Sequence, residues 1–523
     1  MALRNHSAIW QDRPTRSRVA FIEMNYFRLH MPVVSGQTVR VSWDVEPASA
    51  LYWKNEFHLE FPASVDVNSV PRRIWGLVAM LCLHPHWVLL RPCRVELPFG
   101  IDDREREVWY RLMDAAIATL AVHAGRTDFD RDVEIHGSDE PAPPASPLAS
   151  STRCATAFSG GKDSLLQAGL LTELTEKPLL VAVTSQVPPR VDHLTERRRQ
   201  VFNEIKARRD VTFVEVQSDF RAVVNYDFSH VNAGYPISAT ELTDTFLFLA
   251  ATIASSIALG VTHLFLASEA EVQESVERDG RIIQHRHFMY SAATLRGVSA
   301  LVAPYGLQVS SLTSPLYAVQ VHRLLWTRYR DLSDLQYSCW MVDQGEGACS
   351  KCRPCLEYAL GILALGGRPA RMGLKLGKVM REVRDWSPRA IDPGNPAATP
   401  SQIASARHSG HIMTNAGAAS AVSFLRAMLL DHPRELFSSD GREAFRCFRA
   451  LKARLEVLAP SSPPGYRPGF LELVDPLLRD RVGAIYASHF SAEPDQMYAA
   501  LLERSKRLGQ WVSGPLSAAG PPA

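Results

Sequence analysis

Between residues 152 and 367, short apolar runs alternate with longer stretches of helical period. The runs 155–158, 179–184, 211–216, 263–267 and 308–312 are predicted strands, and 164–174, 193–208, 239–259 and 288–303 are predicted helices. Strict alternation of strand and helix implies a parallel sheet covered by helices on both faces. Ligands then bind beyond the carboxyl ends of the strands, at a topological switch point. Upstream, 17–22, 38–45 and 94–97 read as strands and 72–83 and 107–122 as helices, an α+β pattern. Downstream of Pro400 the period is helical, over 416–430, 442–458 and 495–508. Two Pro-rich breaks, 138–150 and 388–400, separate these regions. The expected organisation is an N-terminal α+β domain over 1–137, a linker 138–151, an α/β domain 152–367, a connector 368–400 and a helical C-terminal region 401–523. A chain of 523 residues is too long for one compact core, which agrees with several domains.

Composition narrows the function classes. A formal net charge of +2 disfavours a large nucleic-acid footprint. Met1 to Arg16 is polar and carries no apolar core segment, so no signal peptide is expected. The most apolar run, 246–259, is short and broken by Thr252, Ser255 and Ser256, which predicts a buried helix rather than a membrane span. Eight cysteines without an export signal predict a reducing, cytoplasmic setting.

The first predicted strand runs into Ser159-Gly160-Gly161-Lys162-Asp163-Ser164 and then into a helix. Gly160 and Gly161 lack Cβ, so their backbone can turn tightly and approach phosphate oxygens closely. The helix that follows aims free N–H groups and its positive dipole end at the same place. Ser159 and Ser164 add hydroxyl donors. The GxxxxGK[ST] spacing of a Walker loop is absent. Asp163 beside phosphates requires a bridging cation, so Mg²⁺ is expected. The pattern SGGxDS resembles the signature of the PP-loop ATP pyrophosphatases, and the resemblance implies ATP on Ser159, Gly160, Gly161, Lys162, Asp163 and Ser164, together with Thr184 at the end of the second strand. Lys162, at the variable position of the pattern, either adds its charge at the phosphates or is solvated. Lys162 and Asp163 are the expected catalytic pair.

Cys339, Cys349, Cys352 and Cys355 form C-x9-C-x2-C-x2-C. Four thiolates on a short knuckle suit tetrahedral Zn²⁺ and leave no open position, so a structural role is expected. An iron–sulfur cluster is the competing reading, since C-x2-C-x2-C also occurs in ferredoxins. Cys82, Cys93, Cys154 and Cys447 are isolated and read as buried thiols.

Together with Ser338-Cys339-Trp340, Cys349-Ser350-Lys351-Cys352-Arg353-Pro354-Cys355 and Ser314-Pro315-Leu316, the SGGxDS loop resembles the 7-cyano-7-deazaguanine synthase family over residues 152–367. The resemblance implies a Rossmann-like (PP-loop/HUP) α/β fold with a zinc knuckle. It also implies an ATP-dependent carbon–nitrogen ligase that adenylates a 7-carboxy-7-deazaguanine and releases AMP and pyrophosphate, the acyl group passing to ammonia. Two departures stand out. Thr184-Ser185-Gln186-Val187-Pro188 replaces a Tyr-Gly-Gln-type motif, and Tyr235-Pro236-Ile237-Ser238-Ala239-Thr240-Glu241 replaces a Val-Pro-Gly-Arg-Asn-type segment. The regions outside 152–367 are foreign to the short biosynthetic enzyme. Longer relatives occur in antiphage defence operons, which implies a partner protein whose amine accepts the acyl group.

Substrate contacts are expected at strand ends. Glu269 and Glu271 follow the fourth strand, where a carboxylate accepts hydrogen bonds from a guanine-like edge. Arg286, within His285-Arg286-His287, is placed to hold a carboxylate. Residues 196–199 read as an exposed helix face, and His408 and His411 as surface loop residues in preference to ligands. Two other function classes remain open: a PP-loop tRNA-modifying enzyme such as a thiolase, and a protein that binds a nucleobase or nucleotide without turnover. The slight basic bias speaks against the first, and the intact Asp163 and glycine pair against the second.

Overall fold

The computed structural model describes residues 24–513 except 128–129, 140–145, 150, 186–190, 226, 232–233, 236, 338, 340–347, 385–394 and 459–464. The strand expected at 17–22 and parts of both Pro-rich breaks lie outside the described residues, as do Gln186 to Pro188, Ser338 and Trp340.

The upstream strands are β1 (Asn25–Leu29), β2 (Val33–Ser35), β3 (Thr38–Glu46), β4 (Glu56–Glu60), β5 (Cys93–Glu96) and β6 (Val133–His136). Then come β7 (Cys154–Ala157), β8 (Leu179–Ser185), β9 (Thr212–Ser218), β10 (His263–Phe265), β11 (Ser275–Arg278), β12 (Arg281–Gln284) and β13 (Gln308–Ser310). All but β11 and β12 join one 11-stranded sheet in the order β13-β10-β7-β8-β9-β4-β3-β1-β5-β6, with β2 beside β3. The protein is α/β with a mostly parallel central sheet. From β13 to β9 every pairing is parallel, and in chain order these five strands stand 5-4-1-2-3. That is the doubly wound order, and its switch point falls between β7 and β10.

Side-chain alternation explains the layers. Ala155, Ala157, Leu179, Val181 and Val183 face one core with helices Ala239–Ala258 and Ala292–Val302. Cys154, Phe158, Leu180 and Ala182 face the other core with helices Lys162–Leu174 and Val191–Arg208. Strands buried on both faces read as continuous apolar runs, which is why the sequence predicts them within a residue or two.

The upstream segment does not close into a core of its own. β4 pairs antiparallel with β9 through Leu59↔Ser218 and Glu60↔Gln217, so the sheet continues into β3, β1, β5 and β6. Helices Arg72–Trp87 and Asp103–His123 share a core with helix Ala239–Ala258. Glu241–Ala258 is long and apolar enough to cross a membrane by composition, but 78% of it is buried within the protein, the mark of a core helix. Ser238 starts that helix with a capping box: its hydroxyl accepts from Glu241 N at 3.1 Å, and the Glu241 carboxylate accepts from Ser238 N at 3.2 Å.

The C-terminal helices cover the second core. Helix Pro400–Ala418 was not expected. The predicted 416–430 segment divides at Ser420, whose hydroxyl accepts from Ser423 N at 2.9 Å and starts helix Ala421–Asp431. Between β10 and β13 a hairpin, β11–β12, interrupts the expected alternation. Arg467 fastens the C-terminal region to the α/β body. It is fully buried and donates to Glu274 Oε1 at 2.9 Å, to Tyr317 Oη at 2.8 Å and to Ala270 O at 3.2 Å.

Losing Arg467 would leave Glu274 to Arg407 alone and strip Tyr317 Oη and Ala270 O of a buried donor. Arg467→Met is therefore expected to destabilise the protein by about 3 kcal/mol, read from the urea midpoint at constant slope. An unchanged midpoint would show that the C-terminal region unfolds separately from the α/β body.

Candidate active site and metal centre

The switch point makes the site. β7 ends at Ala157, the chain turns through Ser159-Gly160-Gly161, and helix Lys162–Leu174 begins with Gly161 as its first cap. Gly160 has φ +80°, a left-handed conformation that favours glycine, and a Cβ there would meet Val201 Cγ1 at 3.2 Å. The Ser164 hydroxyl returns to the loop, accepting from Gly160 N at 3.1 Å and Ser159 N at 3.3 Å and donating to Gly161 O at 3.1 Å. The loop is thus preformed, with the Ser159 and Gly160 amides turned toward Ser164 Oγ and the Gly161 amide toward Ser159 Oγ at 3.4 Å.

A cavity of about 400 Å³ opens at this point, within the range of small-molecule sites. Ser159, Gly161, Asp163 and Ser164 from the loop line it, as do Ser268 and Glu269 beyond β10. Val181 and Val183 form part of its wall, whereas Thr184, the next residue along β8, is buried outside it. Lys162 is buried, and its ammonium lies 2.7 Å from Asp163 Oδ1 and also pairs with Glu269. It is therefore not a solvated lysine. Asp163 and Glu269 share one buried cation between the two strand ends.

Of the three expected substrate contacts, only Glu269 lines the cavity. Glu271 turns away: it accepts from Ala318 N at 3.1 Å and faces His408 at 3.5 Å and His411 at 3.7 Å. These histidines are not surface loop residues. They lie on helix Pro400–Ala418, and His408 also reaches Glu357 at 2.9 Å. Burial opposes its charge, but Glu357 and Glu271 outweigh it and push the His408 imidazole up to about 9. Burial likewise opposes the charge on Glu271, and His408 and His411 hold its carboxyl well below the usual range. Arg286 sits behind the cavity wall, 3.8 Å from Glu241.

Several lining residues were not foreseen: Arg198, Glu241, Asp244, Phe248 and Tyr290. Glu241 and Asp244 are the only charged residues of helix Ala239–Ala258. Standing at i and i+3 in an otherwise apolar helix, they carried a signal. Burial raises the Asp244 carboxyl, and a two-pronged bond from Arg221 at 2.9 and 2.5 Å opposes the rise. His287 also lines the cavity. Burial, with Arg286 beside it, pushes its imidazole down to about 4, so it is neutral at pH 7. A larger cavity of about 520 Å³ lies between helix Asp103–His123 and β12, but Arg131 there is already paired with Asp114 at 2.8 Å.

The four cysteines converge as expected, all buried and with their sulfurs within 4.8 Å of one another, so they could hold a zinc ion. Cys349 and Cys355 sulfurs are 3.9 Å apart, and Cys352 and Cys355 3.4 Å. A Zn–S bond of about 2.3 Å gives tetrahedral edges of about 3.8 Å, so the spacing suits one ion. A multi-iron cluster needs its ligands further apart. Backbone amides of Cys349, Lys351 and Cys352 point at the sulfurs over 3.2–3.4 Å, which favours thiolates. Two residues before Cys339, Tyr337 N donates to Gly160 O at 3.0 Å, tying the knuckle to the loop.

Comparison with protein families, curated proteins and solved structures finds no match to this chain.

The purified protein is expected to carry about one equivalent of zinc, and Cys355→Ser to lose it together with thermal stability. Elemental analysis decides this: iron and sulfide in place of zinc would assign the knuckle to a cluster.

Proposed function

We propose that the chain is an ATP-dependent adenylating ligase of the PP-loop type, acting on a carboxylated deazaguanine-like substrate. The reading is supported by one observation above the others. A glycine loop with a left-handed Gly160 and a helix start stands at the switch point, facing a cavity lined by both strand ends. The resemblance of SGGxDS and the cysteine knuckle to 7-cyano-7-deazaguanine synthases supplies the substrate class.

In this reaction a carboxylate oxygen of the substrate attacks the α-phosphorus of ATP, and the bond to the pyrophosphate oxygen breaks. An amine then attacks the acyl carbon and AMP leaves. Positioning and charge stabilisation carry most of such a step. The helix start and the hydroxyls of Ser159 and Ser164 receive the phosphate chain. Lys162 stands beside the leaving group and holds Asp163 in place. The carboxylate oxygens of Asp163 and Glu269 are suitable donors for Mg²⁺, which when bound would neutralise phosphate charge. Phe248 and Tyr290 offer aromatic surface for a base, and the neutral His287 a hydrogen-bonding edge. The acceptor is ammonia or an amine on a partner protein. The departure at 184–188 and the large regions outside 152–367 favour a protein amine.

The experiment combines the protein, ATP, Mg²⁺ and 7-carboxy-7-deazaguanine, with and without ammonia or a candidate protein acceptor. AMP formation that depends on the deazaguanine is expected, with a mass shift on an accepting protein. Asp163→Ala should lower AMP release at least a hundredfold while leaving the fold intact by circular dichroism. AMP formation stimulated by tRNA and not by the deazaguanine would replace this reading with the tRNA-modifying one.

A further inference from the structure

Helix Val191–Arg208 connects β8 to β9 and lies against the glycine loop. Its contact residue is Val201, whose Cγ1 would stand 3.2 Å from a Cβ on Gly160. Phe202, the next residue, packs on Phe158 with ring centroids 5.8 Å apart and lines the cavity. Residues three and four positions apart share a helix face. Arg198 is therefore one turn from Val201 and Phe202 on the side that faces the loop, and it too lines the cavity. Its sequence neighbours Glu196 and Arg199 are exposed.

The charges around the cavity are otherwise matched. Asp163 and Glu269 share Lys162, Asp244 takes Arg221, and Glu241 has Arg286 at 3.8 Å. Arg198 has no hydrogen bond or ion pair to any described residue. Its guanidinium is enclosed by the pocket walls, although the residue keeps partial contact with solvent. Burial and the neighbouring Arg221 lower its pKa, and the charges of Tyr337 and Asp244 offset this only in part. A planar guanidinium with five N–H donors is the group best suited to grip phosphate oxygens in two-pronged fashion.

We infer that Arg198 is the phosphate-binding cation of this site, holding the β- and γ-phosphates of ATP over the Ser159–Gly161 loop and pyrophosphate after transfer. The inference rests on the reading of the cavity as an ATP site. It assigns phosphate contact to Arg198 because Lys162, the cation suggested by the loop sequence, is already shared between two carboxylates.

The test is direct binding, by calorimetry with Mg²⁺, of pyrophosphate, ATP and adenosine to the full-length protein and to Arg198→Gln, Arg198→Lys and Arg199→Gln. Arg198→Gln is expected to weaken pyrophosphate and ATP about ten- to a hundredfold while leaving adenosine unchanged. Arg198→Lys should keep part of the affinity, since it retains the charge without the fork. Arg199→Gln, an exposed control, should bind like the wild type. Wild-type affinity of Arg198→Gln for pyrophosphate and ATP would overturn the inference and leave the ATP site standing. So would loss of adenosine and pyrophosphate binding in equal measure. A wild-type protein that binds none of the three ligands would overturn the ATP site together with it.

Discussion

The crevice between β7 and β10 is the constraint on which the rest of the molecule depends. The connections out of β7 and β8 pass over one face of the sheet, and those out of β9 and β10 pass over the other. Neighbouring strands whose connections leave to opposite faces cannot close the gap at their carboxyl ends. What fills it is decided by two short segments, Ser159–Gly161 and Leu266–Glu269. Each is held from outside. Tyr337 fixes Gly160 O, and the hydroxyls of Ser311 and Thr313 accept from Ser268 N at 3.1 and 2.9 Å.

The cysteine knuckle belongs to this support. The chain leaves helix Ala318–Thr327, passes Tyr337 at the loop and enters the cluster at Cys339. Cys352 caps helix Arg353–Ala364 and Cys355 lies in its first turn, so an ion there would lock the start of a helix buried in the second core. Metal binding of this kind is folding energy for a segment with little secondary structure of its own. An ion at the knuckle would stiffen the glycine loop from behind without entering the cavity.

The parallel strands and the glycine loop were legible because their signals are local: continuous apolar runs, and small residues between a strand and a helix. The cysteine cluster was legible from spacing alone. Helix Pro400–Ala418 was not, because beside the few apolar residues it buries, Ile403, Ala404 and Ile412, its inward side carries Arg407 and His408, which meet carboxylates. No hydrophobic stripe marks such a helix. Arg198 was hidden in the run Arg197-Arg198-Arg199, where composition suggests a solvated face. The packing of Val201 and Phe202 turns Arg198 inward while Arg199 stays exposed. The joining of the upstream strands to β9 rests on the pairing of Leu59 and Glu60 and is a long-range choice that no local pattern records.

The C-terminal region bears on the cavity although none of its residues except through contacts could reach the glycine loop. Arg407 and Arg467 both pair with Glu274, and His408 and His411 flank Glu271. Glu269, two residues before Glu271, holds Lys162 against Asp163. The position of the Lys162 ammonium is therefore set at one end by the loop helix and at the other by a segment clamped from the C-terminal helices. Buried charges of this kind are costly unless every partner is in place. Loosening the clamp would release Glu269, leave Lys162 to Asp163 alone and alter the charge at the cavity. The regions outside 152–367 thus bear on the cavity by fixing where one shared cation stands.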